Sequence, residues 1–255
     1  MRTRYEAELD GVLLSSLSPG IIVTDISEAA PQVRAVTAQP ASGDGQRLLR
    51  AARTSLQVTI SFEIHERDVR RRSTVCELVQ RWATGKILRL GYRPEQFLRV
   101  RVLAQPTIAS ALCWTQPLKV AFIAETIPFW QDWEATRVRV PGGEVFACVP
   151  GTAQTTLCAA RVQNTGDAPI SQVTLAAGDS RMTFSGLALP AGGALCVGYE
   201  DGRTLFARIG ETGVLACRTP ESDDDLLVPC ARRVRFLAQG DGALEAEFSL
   251  RGLYL

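Results

Sequence analysis

Ten residues, Leu56 to His65, constrain the fold of this 255-residue chain more than any other stretch. Leu56, Val58, Ile60, Phe62 and Ile64 alternate with Gln57, Thr59, Ser61, Glu63 and His65. A period of two puts successive side chains on opposite sides of a pleated strand, so this segment needs a sheet with one buried face. The period then changes. In "ERDVRRRSTVCELVQRWATG" the apolar residues Val75, Leu78, Val79 and Trp82 fall at i, i+3, i+4 and i+7. That spacing is the stripe of one helix, at about 66–84. Gly85 stands where a C-cap belongs.

"IIVTDIS" and "QVRAVTAQ" before this pair, and "KILRLGY", "FLRVRVLAQP" and "LKVAFIAET" after it, read as further strands. "QPASGDGQR", 39–47, with Gly43, Asp44 and Gly45 at its centre, reads as a polar, flexible arm between strands. Composition shifts near residue 134: all four tryptophans and the single histidine precede it, and 15 of the 21 glycines follow it. The later part therefore reads as short strands separated by turns such as Asn164-Thr165-Gly166-Asp167 and Gly240-Asp241-Gly242. That pattern fits an antiparallel β-sandwich. The fold class expected is mainly β with one helix in the first domain, with residues 1–134 and 135–255 as the two domains.

Between them lies "ETIPFWQDWE". Pro128 has no N–H for a ladder and is expected to end the preceding strand. Phe129, Trp130 and Trp133 are expected at the domain junction, packed beneath the first domain or between the two. A ligand platform would instead expose all three aromatics together, which is costly unless a partner covers them.

A formal net charge of +1 supplies no global field for nucleic acid or an anionic membrane. No stretch approaches the ~20 apolar residues of a membrane span, and "MRTRYEAELDGVLL" lacks a signal-peptide core. Synthesis as a soluble chain in the cytoplasm, without membrane insertion, is expected. The seven cysteines include no C-x-x-C pair, so zinc and redox-pair spacings are missing. In apolar runs such as "VFACV" and "GALCVGY" they read as small buried hydrophobes. His65 alone cannot build a metal quartet or a triad. "ESDDD", 221–225, lacks the order of a calcium loop and reads as a solvated segment. Arg67, Arg70, Arg71 and Arg72 crowd a helix start, where the dipole disfavours cations. A protein interface, plain solvation and a nucleic-acid contact all remain open for them. No phosphate-cradling loop occurs. The residues point to a binding or structural protein with no cofactor, not to an enzyme.

The order of these pieces resembles the distal tail proteins of long-tailed, siphovirus-type bacteriophages. The similar segments are "LQVTISFEIH" with the Arg-rich helix ending "LVQRWATG", the strands "KILRLGY" and "FLRVRV", and "LKVAFIAETIPFWQDWE" with its Pro-Phe-aromatic stop. "ARVQNTGDAPISQVTLAAG" resembles the family's Asn-x-Gly turn, and "RRVRFLAQGDGALEAEFSLRGLYL" its closing hairpin with an Arg-Gly-x-Tyr-Leu tail. The resemblance implies a belt domain followed by a galectin-like or carbohydrate-module-like sandwich. It also implies a homo-oligomer, a hexameric ring at the tail tip of the virion. The ring would join the major tail tube protein to the tail-tip hub or tail-associated protein, and to fibres or receptor-binding proteins. DNA would pass through the lumen without specific binding. The interface residues expected are Arg70, Arg71 and Arg72 and the arm at Gly43, Asp44 and Gly45. The alternative is a carbohydrate-binding module for host cell-wall glycans, against which stands the lack of any tryptophan after Trp133. A glycosidase would need paired carboxylates in a cleft motif, and none is recognisable.

Overall fold

Gln57–Ile64 forms a strand, and Val58, Ile60, Phe62 and Ile64 are all buried. The computed structural model describes residues 5–38, 47–112, 117–200 and 202–255. Gly43, Asp44, Gly45 and Cys113 lie outside the described residues. By contact the chain divides into two units, Met1–Trp130 with Leu255, and Gln131–Tyr254.

In the first unit, antiparallel strands follow one another in the order Val12–Leu13, Ala7–Leu9, Ile87–Leu90, Arg93–Ala104, Leu118–Ala124, Gln57–Ile64 and Ile21–Ala29. Val33–Ala38 and Arg47–Arg53 form a separate two-stranded ribbon. The ribbon is closed at its root by Thr54 N–H donating to the Gln32 carbonyl at 2.8 Å.

The helix spans Val69–Trp82, shorter at both ends than the apolar period indicates. Its start is set by Asp68, whose carboxylate accepts the N–H groups of Arg70 (2.8 Å) and Arg71 (3.1 Å), an N-cap that also offsets the cations of the first turn. At the other end Ala83, in right-handed helical conformation, is the C-cap. Gly85 is not a left-handed cap. It is small because Leu9 lies against it: a Cβ there would be 2.7 Å from Leu9 Cγ. The inward stripe is Arg72, Val75, Cys76, Val79 and Trp82, with Leu78 only half-buried. Trp82 meets Phe122 edge-on, with centroids 5.9 Å apart, and its indole N–H donates to the Val12 carbonyl at 2.8 Å. A second helix, Ile108–Leu112, is too short to show a sequence period.

Arg72 departs from the exposed role expected of it. Its guanidinium turns inward and donates to the carbonyls of Ile64 and Ala111. One cation thus ties the long helix to the central strand and to the short helix. The strand Leu118–Ala124 also stops earlier than expected, before Pro128. Glu125 N–H makes a last bond to the Arg99 carbonyl (3.0 Å), so proline is not the terminator.

The second unit consists of two facing sheets. One runs Thr136–Val140, Leu244–Leu250, Thr155–Asn164, Ala194–Glu200, Thr204–Ile209 and Thr212–Gly213, with Leu227–Pro229 pairing the start of Thr155–Asn164. The other runs Gly143–Cys148, Arg233–Gly240, Ile170–Ala177 and Ser180–Leu189. Phe236 of the second sheet meets Phe248 of the first at 5.3 Å between centroids. Val140, Val162, Leu175, Phe184 and Leu195 complete a core without solvent contact. This is sheet-on-sheet packing around inward-alternating residues. In "VFACV" and "GALCVGY" the thiols of Cys148 and Cys196 take outward positions, and the buried cysteines among the described residues are Cys76, Cys158 and Cys230. Burial pushes the Cys158 thiol up to about 12, so it stays protonated as a small apolar group.

Replacing Arg72 by Met removes the donors of two carbonyls in a buried setting. The expected loss is about 2–4 kcal/mol of stability, read as a lower urea midpoint with unchanged slope. A loss under about 0.5 kcal/mol would show that the guanidinium does not hold the helix.

Candidate functional site

The residues singled out in the sequence do not share one site. Arg67, Arg70 and Arg71 are exposed around the first helical turn, while Arg72 is internal. Phe129 is half-buried, with the Arg53 guanidinium 5.9 Å from its ring centroid. Trp130 has no exposed surface, whereas Trp133 is 45% exposed. The three aromatics therefore present no common platform.

Trp130 is held by a node that sequence reasoning missed. Its indole N–H donates to Glu28 Oε2 at 2.7 Å. Arg93 Nε lies 3.2 Å from Glu28 Oε1, and the Tyr92 hydroxyl donates to the same oxygen. The Arg93 guanidinium also stands 5.2 Å from the Trp130 ring centroid and donates to the carbonyl of Leu255 at 3.2 Å. Burial, followed by the bond to Glu28, raises the Tyr92 hydroxyl well above its ordinary value. One carboxylate thus receives an indole, a phenol and a guanidinium, three donors that remain paired at neutral pH. Glu28 carries no local signal in "TDISEAA", because its partners come from 64 or more residues away.

In the second unit the closing "RGLYL" clasps the segment after Trp130. Arg251 donates to the carbonyls of Asp132 (2.6 Å) and Trp133. Asp132 Oδ2 accepts Gly252 N–H at 3.1 Å and the Tyr254 hydroxyl at 3.2 Å. A Cβ at Gly252 would clash with that oxygen, so a larger residue there would push the Asp132 carboxylate out of the clasp. Burial raises the Asp132 carboxyl despite these donors. The "NTGD" turn has a similar logic. Buried Asn164 donates to the carbonyls of Ala168 (2.8 Å) and Leu189 (3.1 Å), and its side-chain oxygen accepts Gly166 N–H at 3.0 Å.

The remaining candidates resolve into local structure. Glu63 and His65 form an exposed pair at 2.8 Å. The acidic run covers the edge of Ser180–Leu189: Asp223 accepts Arg181 N–H at 2.7 Å, and Arg218 reaches Asp224 at 3.3 Å. Among the described residues no group of three metal-ligating side chains converges, and no helix is long and apolar enough to cross a membrane. Charge is divided unevenly. Residues 1–130 hold 17 Lys and Arg against 12 Asp and Glu, and residues 131–255 hold 11 against 15, giving +5 and −4.

These features define a class: a two-unit, antiparallel β chain with one long helix, built around packing and clasping contacts. No family profile matches the chain, and no curated protein sequence is similar to it. Among solved structures it is similar to the SPP1 Dit (gp 19.1) protein, described as a paradigm of the hub adsorption apparatus in phages infecting Gram-positive bacteria. The alignment covers 96% of this chain and 98% of that one, with a TM-score of 0.69 and 12% identity. A chain of the phage P2 baseplate in its activated conformation with Ca aligns over 97% of both chains at 11% identity, with a TM-score of 0.46. The chain has the fold of the SPP1 Dit protein, and the resemblance to distal tail proteins is borne out at the level of fold.

Trp130→Phe removes the N–H given to Glu28 and, with its smaller ring, some of the buried packing. It is expected to cost about 1.5–3 kcal/mol in chemical denaturation, and an unchanged midpoint would dissolve the node. Two exposed carboxylates, the helix cap Asp68 and the turn residue Asp241, give a pH test. Backbone N–H bonds from Arg71 and Arg70 hold the Asp68 carboxyl below the usual carboxylate range, and the Ser171 hydroxyl and Gln172 N–H do so for Asp241. Folding depresses both, so their stabilisation is complete above the unfolded value of about 3.9. It is lost as pH falls through the lower folded values. A D68N/D241N double variant should melt lower than the parent near neutral pH and lose less on acidification. Parallel curves for the two proteins would contradict this.

Proposed function

We propose that this chain is a distal tail protein, a structural component of a phage tail tip. Six copies form a ring through their first units. The ring continues the tail tube, carries the tail-tip hub and its fibres or receptor-binding proteins, and leaves a lumen for DNA. The observation that carries this reading is the likeness of fold to the SPP1 Dit protein over nearly the full length of both chains.

Further features are consistent with it. Among the described residues Ile21–Ala29 pairs with only one neighbour, and it is largely exposed along its nine residues, an edge able to accept another strand. The ribbon Val33–Ala38 and Arg47–Arg53 pairs with no other strand of its own chain among the described residues. Isolated two-stranded ribbons are marginal in water, so a neighbouring copy is its natural support. A cationic first unit and an anionic second unit favour unlike surfaces meeting between copies, as a heterologous ring requires. Arg70 and Arg71 remain interface candidates on the exposed helix start.

Native mass measurement of the purified chain, alone and with a tail tube protein, is the test. The expected species has six times the monomer mass, and an R70E/R71E variant shifts it toward monomer. A chain that stays monomeric at high concentration and beside the tube protein would overturn the ring.

A further inference from the structure

The outward face of the larger sheet in the second unit carries a row of side chains fixed by strand register. Arg139 stands opposite Glu247, Glu247 opposite Arg161, Arg161 opposite Cys196, and Cys196 opposite Arg208. Their chain neighbours Val140, Phe248, Val162, Val197 and Ala207 are buried, so the pleat turns the whole row away from the core. Arg139, Arg161 and Arg208 are exposed. At about 4.8 Å per strand they recur roughly every 10 Å.

Two open hollows adjoin this row. One, of about 650 Å³, is lined by Arg137, Arg139, Gln163, Glu245 and Glu247. The other, of about 720 Å³, is walled by Pro190, Gly192, Gly193, Arg208, Gly210 and Glu211. Arg161 lines both. Beside the row Phe206 lies across Gly198, where a Cβ would be 2.9 Å from its ring, and the Arg208 guanidinium is 5.1 Å from the ring centroid. Glu247 is 3.7 Å from Arg137 and 3.6 Å from Arg139. Such long, exposed pairs contribute little and leave guanidinium donors available.

We propose that this trough binds an anionic polysaccharide lying across the strands. A peptide docking on a sheet gains main-chain hydrogen bonds along an edge. A chain crossing the face gains none, so its grip must come from side-chain donors to its own acid groups. Arginine's planar fork fits a carboxylate or a phosphodiester equally. A stiff glycan whose acids recur at the two-strand interval loses less freedom on binding than a flexible peptide. Phe206 offers a flat apolar surface for a sugar ring. Glu247, set between Arg139 and Arg161, disfavours denser polyanions such as nucleic acid, with a charge about every 1.7–3.4 Å. The inference rests on the tail-tip reading only for the source of the glycan, a bacterial surface.

The full-length chain, immobilised and at low salt, is titrated by interferometry with four probes. These are polygalacturonate oligomers, a glycerol-phosphate polymer, neutral dextran and single-stranded DNA. Expected is binding to one or both anionic glycans, with dextran and DNA at least about tenfold weaker. Arg161→Gln, which removes the donor shared by both hollows, should weaken that binding by about tenfold or more without changing the melting temperature. Binding to the uronate alone assigns carboxylate recognition, and binding to the phosphate polymer alone assigns phosphodiester recognition. No binding to either, equal binding of dextran or DNA, or parent-like affinity in Arg161→Gln would overturn the proposal. Mass measurement on the same preparation separates the two readings. A proper ring that binds neither glycan removes this inference alone, and a glycan-binding monomer counts against the ring alone.

Discussion

Each ladder in this protein commits alternate side chains to the core and the rest to the outside, and most other features follow from that constraint. Once Phe248, Val162 and Val197 must face the opposing sheet, Glu247, Arg161 and Cys196 have no choice but to face away. A one-residue slip would exchange the two sets and bury several charges. Register is therefore strongly specified in the sandwich. The order of charges on its outer face is inherited from the packing of its inner one.

Where the pleat does not decide, single polar groups do. In the first unit Arg72 joins three elements through two carbonyls, and Glu28 gathers Tyr92, Arg93 and Trp130. In the second, Asp132 and Arg251 bind the first and last segments of the unit to each other. Arg72 is buried and Glu28, Asp132 and Arg251 are half-buried, and a charged group withdrawn from water is tolerated only when its hydrogen-bonding capacity is met. They act as pins: each has a geometry that a shifted element could not satisfy, which favours one arrangement over its near neighbours.

The elements themselves were legible wherever one period ran long enough. Leu56 to Ile64 announces a strand, Val75 to Trp82 a helix, and the short runs after residue 134 a sandwich. The site was legible only in fragments. "RGLYL" and "NTGD" stand out as patterns, yet nothing in them says that Tyr254 reaches Asp132 or that Asn164 spans to Leu189. Arg72 shows the limit most plainly. Beside Arg70 and Arg71 it looks like one more surface cation, but it sits three residues before Val75 and seven before Val79 and so belongs to the buried stripe.

What the sequence determined by itself was local: the periods of strand and helix, the turn from Asn164 to Gly166, and the cap at Asp68. These depend on neighbours within a few residues, whose steric and hydrogen-bonding preferences are written in the chain. Tertiary structure decided which arginine is internal, which tryptophan is covered and which carboxylate collects the donors. It also decided that guanidiniums from three separate strands stand in one row. Those outcomes depend on residues many positions apart being brought within hydrogen-bond range, and only the closed ladders and packed cores do that.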